Sequence, residues 1–200
     1  MILKAICAWL FIFLCYIAER VSIKNIMAKK CDNTSVGILV KNGQKILLIE
    51  RKQYNFGFAL PAGHGDGDDP LTCAKKELGE EVGLTMLEGE IKLNMTLKNP
   101  CKREGGTYHD WSVVEAVKWE GDVNIDQPDD EAKSYIWAGK KMIADIAKYL
   151  ENFAVLIGVE LLPENLPQIV EKTNEPGSMW QINPGLEPPM YFLFKKLRII

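Results

Sequence analysis

The sequence predicts an α+β domain, and three observations carry the prediction. Two apolar, β-branched runs, 34–41 and 45–51, are joined by Lys41-Asn42-Gly43-Gln44, whose Asn-Gly pair signals a tight hairpin turn. A helix follows at 70–82, bounded by Asp69 as N-cap, Pro70 at the first helical position and Gly83 as the stop. Beyond it, 88–97 alternates and 109–119 is β-rich, with the basic, glycine-containing stretch 100–106 between them.

The remaining elements fit around these. Residues 56–61 offer a short apolar strand, which runs into 62–69, a segment so rich in glycine and aspartate that it reads as an irregular loop. In the helix, Leu71, Ala74, Leu78 and Val82 form one apolar stripe, and Glu77, Glu80 and Glu81 fall together on an adjacent face. A short strand is expected at 134–137 and a helix at 140–153, where Met142, Ile143, Ile146, Leu150 and Phe153 have helical spacing. The last portion, 154–200, holds six of the ten prolines and two short helices, near 163–172 and 189–197, read as a helical extension packed on the core. Trp111, Trp119 and Trp137 are assigned to the core, and Tyr54 and Phe56 either to the core or to stacking on a base.

With 200 residues, 47% hydrophobic and 26% charged, the chain suits one globular domain with a terminal segment. A net charge of −3 provides no basic footprint for a polymeric nucleic acid. The cysteines, at 7, 15, 31, 73 and 101, include no C-x-x-C pair, so neither a disulfide framework nor a zinc site is indicated, and reduced thiols point to a cytoplasmic setting. The uncharged stretch 5–18 is short of the roughly 20 residues a membrane span needs. Residues 1–26 stand as an apolar extension, open between a leader, a membrane anchor and a misassigned start, since Met27 opens a self-sufficient beginning for the domain. Membrane contact is expected only if they are retained.

Carboxylates at 77, 80 and 81 crowd one another one helical turn apart, a repulsion that a hard divalent cation relieves. On its own such a trio is more often a solvated acidic face. Its context is more specific: Lys76-Glu77-Leu78-Gly79-Glu80-Glu81-Val82-Gly83-Leu84 resembles the second half of the Nudix signature, with lysine in place of arginine. The first half is looser, with Asp68 where the family has glutamate, Gly63 one residue too near it, and Leu60-Pro61-Ala62-Gly63 similar to the family's Leu-Pro-Gly-Gly.

The resemblance implies a Nudix-type α/β/α sandwich with a mixed β-sheet over 27–153. It also implies hydrolysis of a nucleoside diphosphate linked to X, such as ADP-ribose, a nucleotide sugar or a nucleoside triphosphate, with Mg²⁺ or Mn²⁺ as cofactor. By that analogy Glu77, Glu80 and Glu81 are metal ligands, the Gly63 carbonyl a further one, and Glu80 the first choice of general base, with Glu131 a loop candidate. Asp68 and Lys76 would form the brace between loop and helix, weaker than glutamate with arginine because lysine cannot make a bidentate fork. Arg51, His64, Lys102, Arg103 and His109 are candidate substrate ligands, set against a solvated loop for 102–109 and a local hydrogen bond for His64. A small nucleotide is the expected partner, a homodimer is compatible, and the alternative to an enzyme is a nucleotide-binding sensor.

Overall fold

The computed structural model describes residues 29–52, 54–128 and 131–200. Residues 31–200 make one compact unit, Cys31–Ile200. The apolar stretch 5–18 lies outside the described residues, and no helix among those described is long and apolar enough to cross a membrane.

Strands β1 (Thr34–Asn42) and β2 (Lys45–Arg51) form the expected hairpin, with Gly43 at φ 59 in the turn. They pair only at their tips, Lys41 with Ile46 and Asn42 with Lys45, and then splay apart. This splay lets each strand seed its own partnership. Along β1, Thr34 to Val40 run parallel to Asp110 to Ala116 of β6 (His109–Glu120), and β5 (Thr85–Leu97) continues that sheet antiparallel to β6. Along β2, pairing is antiparallel with β7 (Ala132–Gly139) and with the two-residue β3 (Phe58–Ala59). The sheet is therefore mixed, and the α+β class holds.

Both inner strands are buried on both faces, which sorts their side chains by alternation. Val36, Ile38 and Val40 of β1 and Leu47 and Ile49 of β2 face helix α1 (Pro70–Val82), where Cys73, Ala74, Leu78 and Val82 meet them. Leu39, Ile46 and Leu48 face the opposite layer, built from α2 (Lys140–Leu156) and the C-terminal helices α3 (Leu166–Asn174), α4 (Met179–Ile182) and α5 (Pro188–Lys196). Each helix layer thus covers one face, as in a sandwich.

Three expectations need correction. The glycine-rich segment is not wholly irregular: Ala62–His64 forms strand β4, antiparallel to Ser35–Gly37 of β1. Its pairing is made by backbone groups, which glycine supplies as well as any residue. Leu71 is exposed, and the buried stripe of α1 comprises Cys73, Ala74, Leu78 and Val82 together with Glu81. The C-terminal extension does more than pack on the core: Phe58 donates its N–H to the Gly185 carbonyl at 2.8 Å and accepts from Glu187 N at 2.9 Å, while Trp180, Met190, Leu193 and Phe194 are core residues.

Candidate active site

Helix α1 is held at both ends by local chemistry. The Asp69 carboxylate accepts from Leu71 N and Thr72 N, and Gly83 takes the left-handed conformation, φ 70, that lets its own N–H reach the Gly79 carbonyl and the Leu84 N–H reach that of Leu78. So anchored, the helix presents its glutamates differently from one another. Glu80 is exposed, Glu77 is half-buried, and Glu81 is buried at 4% exposure.

Strand β4 brings the motif loop onto this helix. The Glu81 carboxylate accepts from Ala62 N at 2.7 Å, and the Cys73 thiol donates to the His64 carbonyl at 3.3 Å. Gly63 lies so close to Glu77 that a Cβ built on it would fall inside the Glu77 carboxyl group. Glycine is required there by close approach.

Arg51, at the end of β2, completes the cluster. Its Nη2 is 2.8 Å from Glu131 Oε2 and its Nη1 3.6 Å from Glu81 Oε1, while Lys102 Nζ is 3.5 Å from the other Glu131 oxygen. Burial works against the guanidinium charge, but Glu81, Glu187 and Glu131 together outweigh it and raise the Arg51 pKa. Glu81 behaves oppositely: burial lifts it to about 8 despite Arg51 and the Ala62 N–H. Glu81 Oε1 has no hydrogen-bond partner among the described residues. A buried carboxylate oxygen with no hydrogen bond and only the long Arg51 contact, one turn from Glu77 and beside the Gly63 backbone, is a donor set that fits a hard divalent cation.

A cleft opens beside this cluster, lined among others by Arg51, Tyr54, Gly63, His64, Lys102 and Trp111. Glu187 forms part of its wall at 3% exposure, and burial lifts its carboxyl to about 7. Of the residues proposed from the sequence to meet substrate, Arg51, His64, Lys102 and His109 line this cleft. Arg103 does not: its guanidinium grips Asp66, Nη1 to Oδ1 at 2.5 Å and Nη2 to Oδ2 at 3.3 Å. The expected Asp68–Lys76 brace is not formed among the described residues, and both side chains are exposed. Arg103 with Asp66 supplies the loop's ion pair instead.

Sequence reading missed two features here. Glu187 arrives from the helical extension read only as packing on the core, and no local pattern announced it. Cys31 and Cys101, set aside for want of a C-x-x-C spacing, meet His64 and His109, with one ligand atom from each within 4.8 Å of all the others. Their separation along the chain hid the grouping. Burial, with Arg103 and His109 nearby, holds the His64 imidazole down to about 4, so it is neutral near pH 7.

The NUDIX domain family profile matches residues 32–153. "Putative hydrolase 111R" of Invertebrate iridescent virus 3 is 37% identical over 82 residues, an alignment covering 36% of this chain and 44% of that protein. The chain therefore spans less than half the length of that relative. Among solved structures, the MutT NUDIX hydrolase from Burkholderia pseudomallei is 20% identical with a TM-score of 0.48, covering 55% of this chain and 84% of that one. The MutT protein from Methanosarcina mazei Go1 is 22% identical with a TM-score of 0.47, covering 72% and 93% respectively. The assignment rests on the domain match, which covers more than half of the chain: it belongs to the Nudix domain family.

Proposed function

We propose that the chain is a Mg²⁺- or Mn²⁺-dependent pyrophosphohydrolase that cleaves a nucleoside diphosphate linked to X and releases a nucleoside monophosphate. The observation that carries this reading is the pairing of half-buried Glu77 and buried Glu81 over the Gly63 backbone, with Glu81 Oε1 lacking a hydrogen bond. Glu77, Glu80, Glu81 and the Gly63 carbonyl would hold the cation. When bound, the cation supplies Lewis-acid polarisation of the phosphoryl oxygens and a lowered pKa for attacking water.

The protein's own groups then divide the remaining work. Glu80, exposed on α1, is the first choice for the base that accepts the proton of the attacking water. Glu131 is a weaker candidate for that role, because each of its oxygens already faces a cation, Arg51 or Lys102. Arg51 and Lys102 put positive charge on the cleft wall, where a pyrophosphate needs it. Tyr54, on the same wall, offers a ring face to a nucleobase. We place this chemistry in 27–153, with 154–200 as the helical extension packed on it.

The test is incubation of the full chain with ADP-ribose, nucleotide sugars and nucleoside triphosphates, with and without Mg²⁺, beside Glu80→Gln and Glu81→Gln. Metal-dependent release of nucleoside monophosphate, abolished by both substitutions, is the expected result. The missing Asp68–Lys76 brace favours one other reading, a nucleotide-binding sensor. Tight nucleotide binding without turnover across the whole panel would establish that reading and sink the hydrolase.

A further inference from the structure

We propose that Cys31, His64, Cys101 and His109 form a Cys₂His₂ site for a tetrahedral Zn²⁺, separate from the carboxylate site and structural in role. The four come from distant points in the chain: the residue group before β1, the end of β4, the 98–108 connection, and the first residue of β6. Their donor atoms nevertheless converge. Cys31 Sγ lies 3.3 Å from His109 Nε2, and His64 Nε2 lies 3.1 Å from Cys101 Sγ. With zinc–sulfur bonds of about 2.3 Å and zinc–nitrogen bonds of about 2.0 Å, tetrahedral geometry puts sulfur and nitrogen about 3.5 Å apart. The observed pairs need to open by only a few tenths of an ångström.

Three further observations favour a metal over a chance grouping. First, each sulfur accepts a backbone N–H from the residue two positions on, Asn33 N to Cys31 Sγ at 3.4 Å and Arg103 N to Cys101 Sγ at 3.3 Å. Such N–H donors stabilise sulfur as thiolate, the form a metal binds. Second, the backbone is shaped to bring the sulfurs together. Cys31 N donates to the Glu104 carbonyl at 2.9 Å and Cys101 N to the Gly106 carbonyl at 3.1 Å. A Cβ on Gly106 would strike Cys101 Cβ and come within 2.8 Å of Cys31 Sγ. Third, His109 has an outer partner: its Nδ1 is 3.2 Å from the Asn99 carbonyl, which can accept Nδ1–H and leave the Nε2 lone pair facing the sulfurs. The Asn99 side-chain amide, 2.8 Å from the same Nδ1, suits the other tautomer.

Sulfur and imidazole donors select a borderline-soft ion and do not suit Mg²⁺, so the two sites sort metals by chemistry. Two thiolates neutralise one Zn²⁺. The site would clip the start of β1, the loop carrying Gly63 and the 98–108 connection into one rigid unit, and it would take His64 and His109 out of direct substrate contact.

The experiment is metal analysis of the full chain purified under reducing conditions, followed by replacement of zinc with Co²⁺ and visible and near-ultraviolet spectroscopy. About one Zn²⁺ per chain is expected, with strong tetrahedral cobalt bands and thiolate charge-transfer absorption. Both signals should survive in Glu80→Gln and Glu81→Gln, which address the carboxylate site alone, and disappear in Cys31→Ser/Cys101→Ser. Because the unsubstituted chain is read directly, a misfolded variant does not obscure the answer. Reduced protein that holds no zinc, a cobalt complex without thiolate absorption, or signals that persist without both cysteines would each overturn the proposal.

Discussion

Arg51 Nη2 sits 2.8 Å from Glu131 Oε2 while Nη1 of the same guanidinium faces Glu81 Oε1 at 3.6 Å. One buried cation thus joins the end of β2, the approach to β7 and the acidic helix. Removing it leaves Glu81 and Glu187 buried without their main countercharge. Arg51→Ala should therefore lose about 3–5 kcal/mol of stability in urea unfolding. Adding Glu81→Gln to that variant should recover part of the loss, and a double variant no better than the single one would show that packing, not charge, was responsible.

Gly63 and Gly79 make a contrasting pair. An added methyl at Gly63 must displace the Glu77 carboxyl, whereas at Gly79 the nearest neighbour is the Leu84 carbonyl at 3.9 Å. Gly63→Ala should cut turnover on the order of 100-fold, the usual consequence of misplacing a site group by about 1 Å. Gly79→Ala should leave turnover intact and raise stability by up to about 1 kcal/mol, the helical preference for alanine. Equal activities for the two variants would remove Gly63 from the site.

Glu80 is exposed on its helix. Glu80→Gln should lower kcat by about 10²–10⁴-fold if the carboxylate acts as general base. Its thermal midpoint should stay that of the parent, because surface substitutions usually shift stability within about 0.5 kcal/mol. A fall in both together would point to a structural role.

The pH dependence of stability follows from Glu187. Burial lifts its carboxyl from 4.5 to about 7, so across that window the folded chain holds a proton that the unfolded chain has released. Stability from this group is complete below pH 4.5 and is lost as pH rises through about 7. In metal-free buffer the thermal midpoint should fall over that range, and Glu187→Gln should flatten the fall. An unchanged slope in the variant would assign the effect elsewhere, with Glu81, lifted to about 8, as the first alternative.

Phe194 is fully buried in the layer opposite α1. Phe194→Ala should cost about 3–5 kcal/mol, as for a large core side chain, measured by denaturant unfolding. A loss below about 1 kcal/mol would mark the C-terminal helices as a dispensable attachment.

What could be read from the sequence depended on the range of the forces involved. Helix α1 announced both of its ends because Asp69, Pro70 and Gly83 act on neighbours within a turn. The β1–β2 turn was equally local. Strand β4 was hidden because its partner, β1, lies far back in the chain and the bonds are made by main-chain atoms of Ala62, Gly63 and His64. The glutamate trio was visible as a pattern, yet its division into exposed Glu80 and buried Glu81 depends on the Ala62 N–H and on Arg51. The cysteine–histidine grouping and the intrusion of Glu187 are long-range facts that no spacing rule reports.

The pairing of Thr34 beside Asp110 and the bridge of Phe58 to Leu186 also set an order of events during synthesis. Contacts so distant in the chain close slowly, because the loop-closure entropy falls due before the pairing stabilises anything. The first hairpin can form early, but its strand β1 must wait for β6, leaving a pairing edge bare on the nascent chain. The short strand at Phe58 stays without its C-terminal partner until the residues around Leu186 leave the ribosome. This protein should therefore complete the strand edge at Phe58 only after the residues around Leu186 have been synthesised, and ribosome-bound chains ending before Leu186 should be the ones that proteases cut near Phe58 and that chaperones retain.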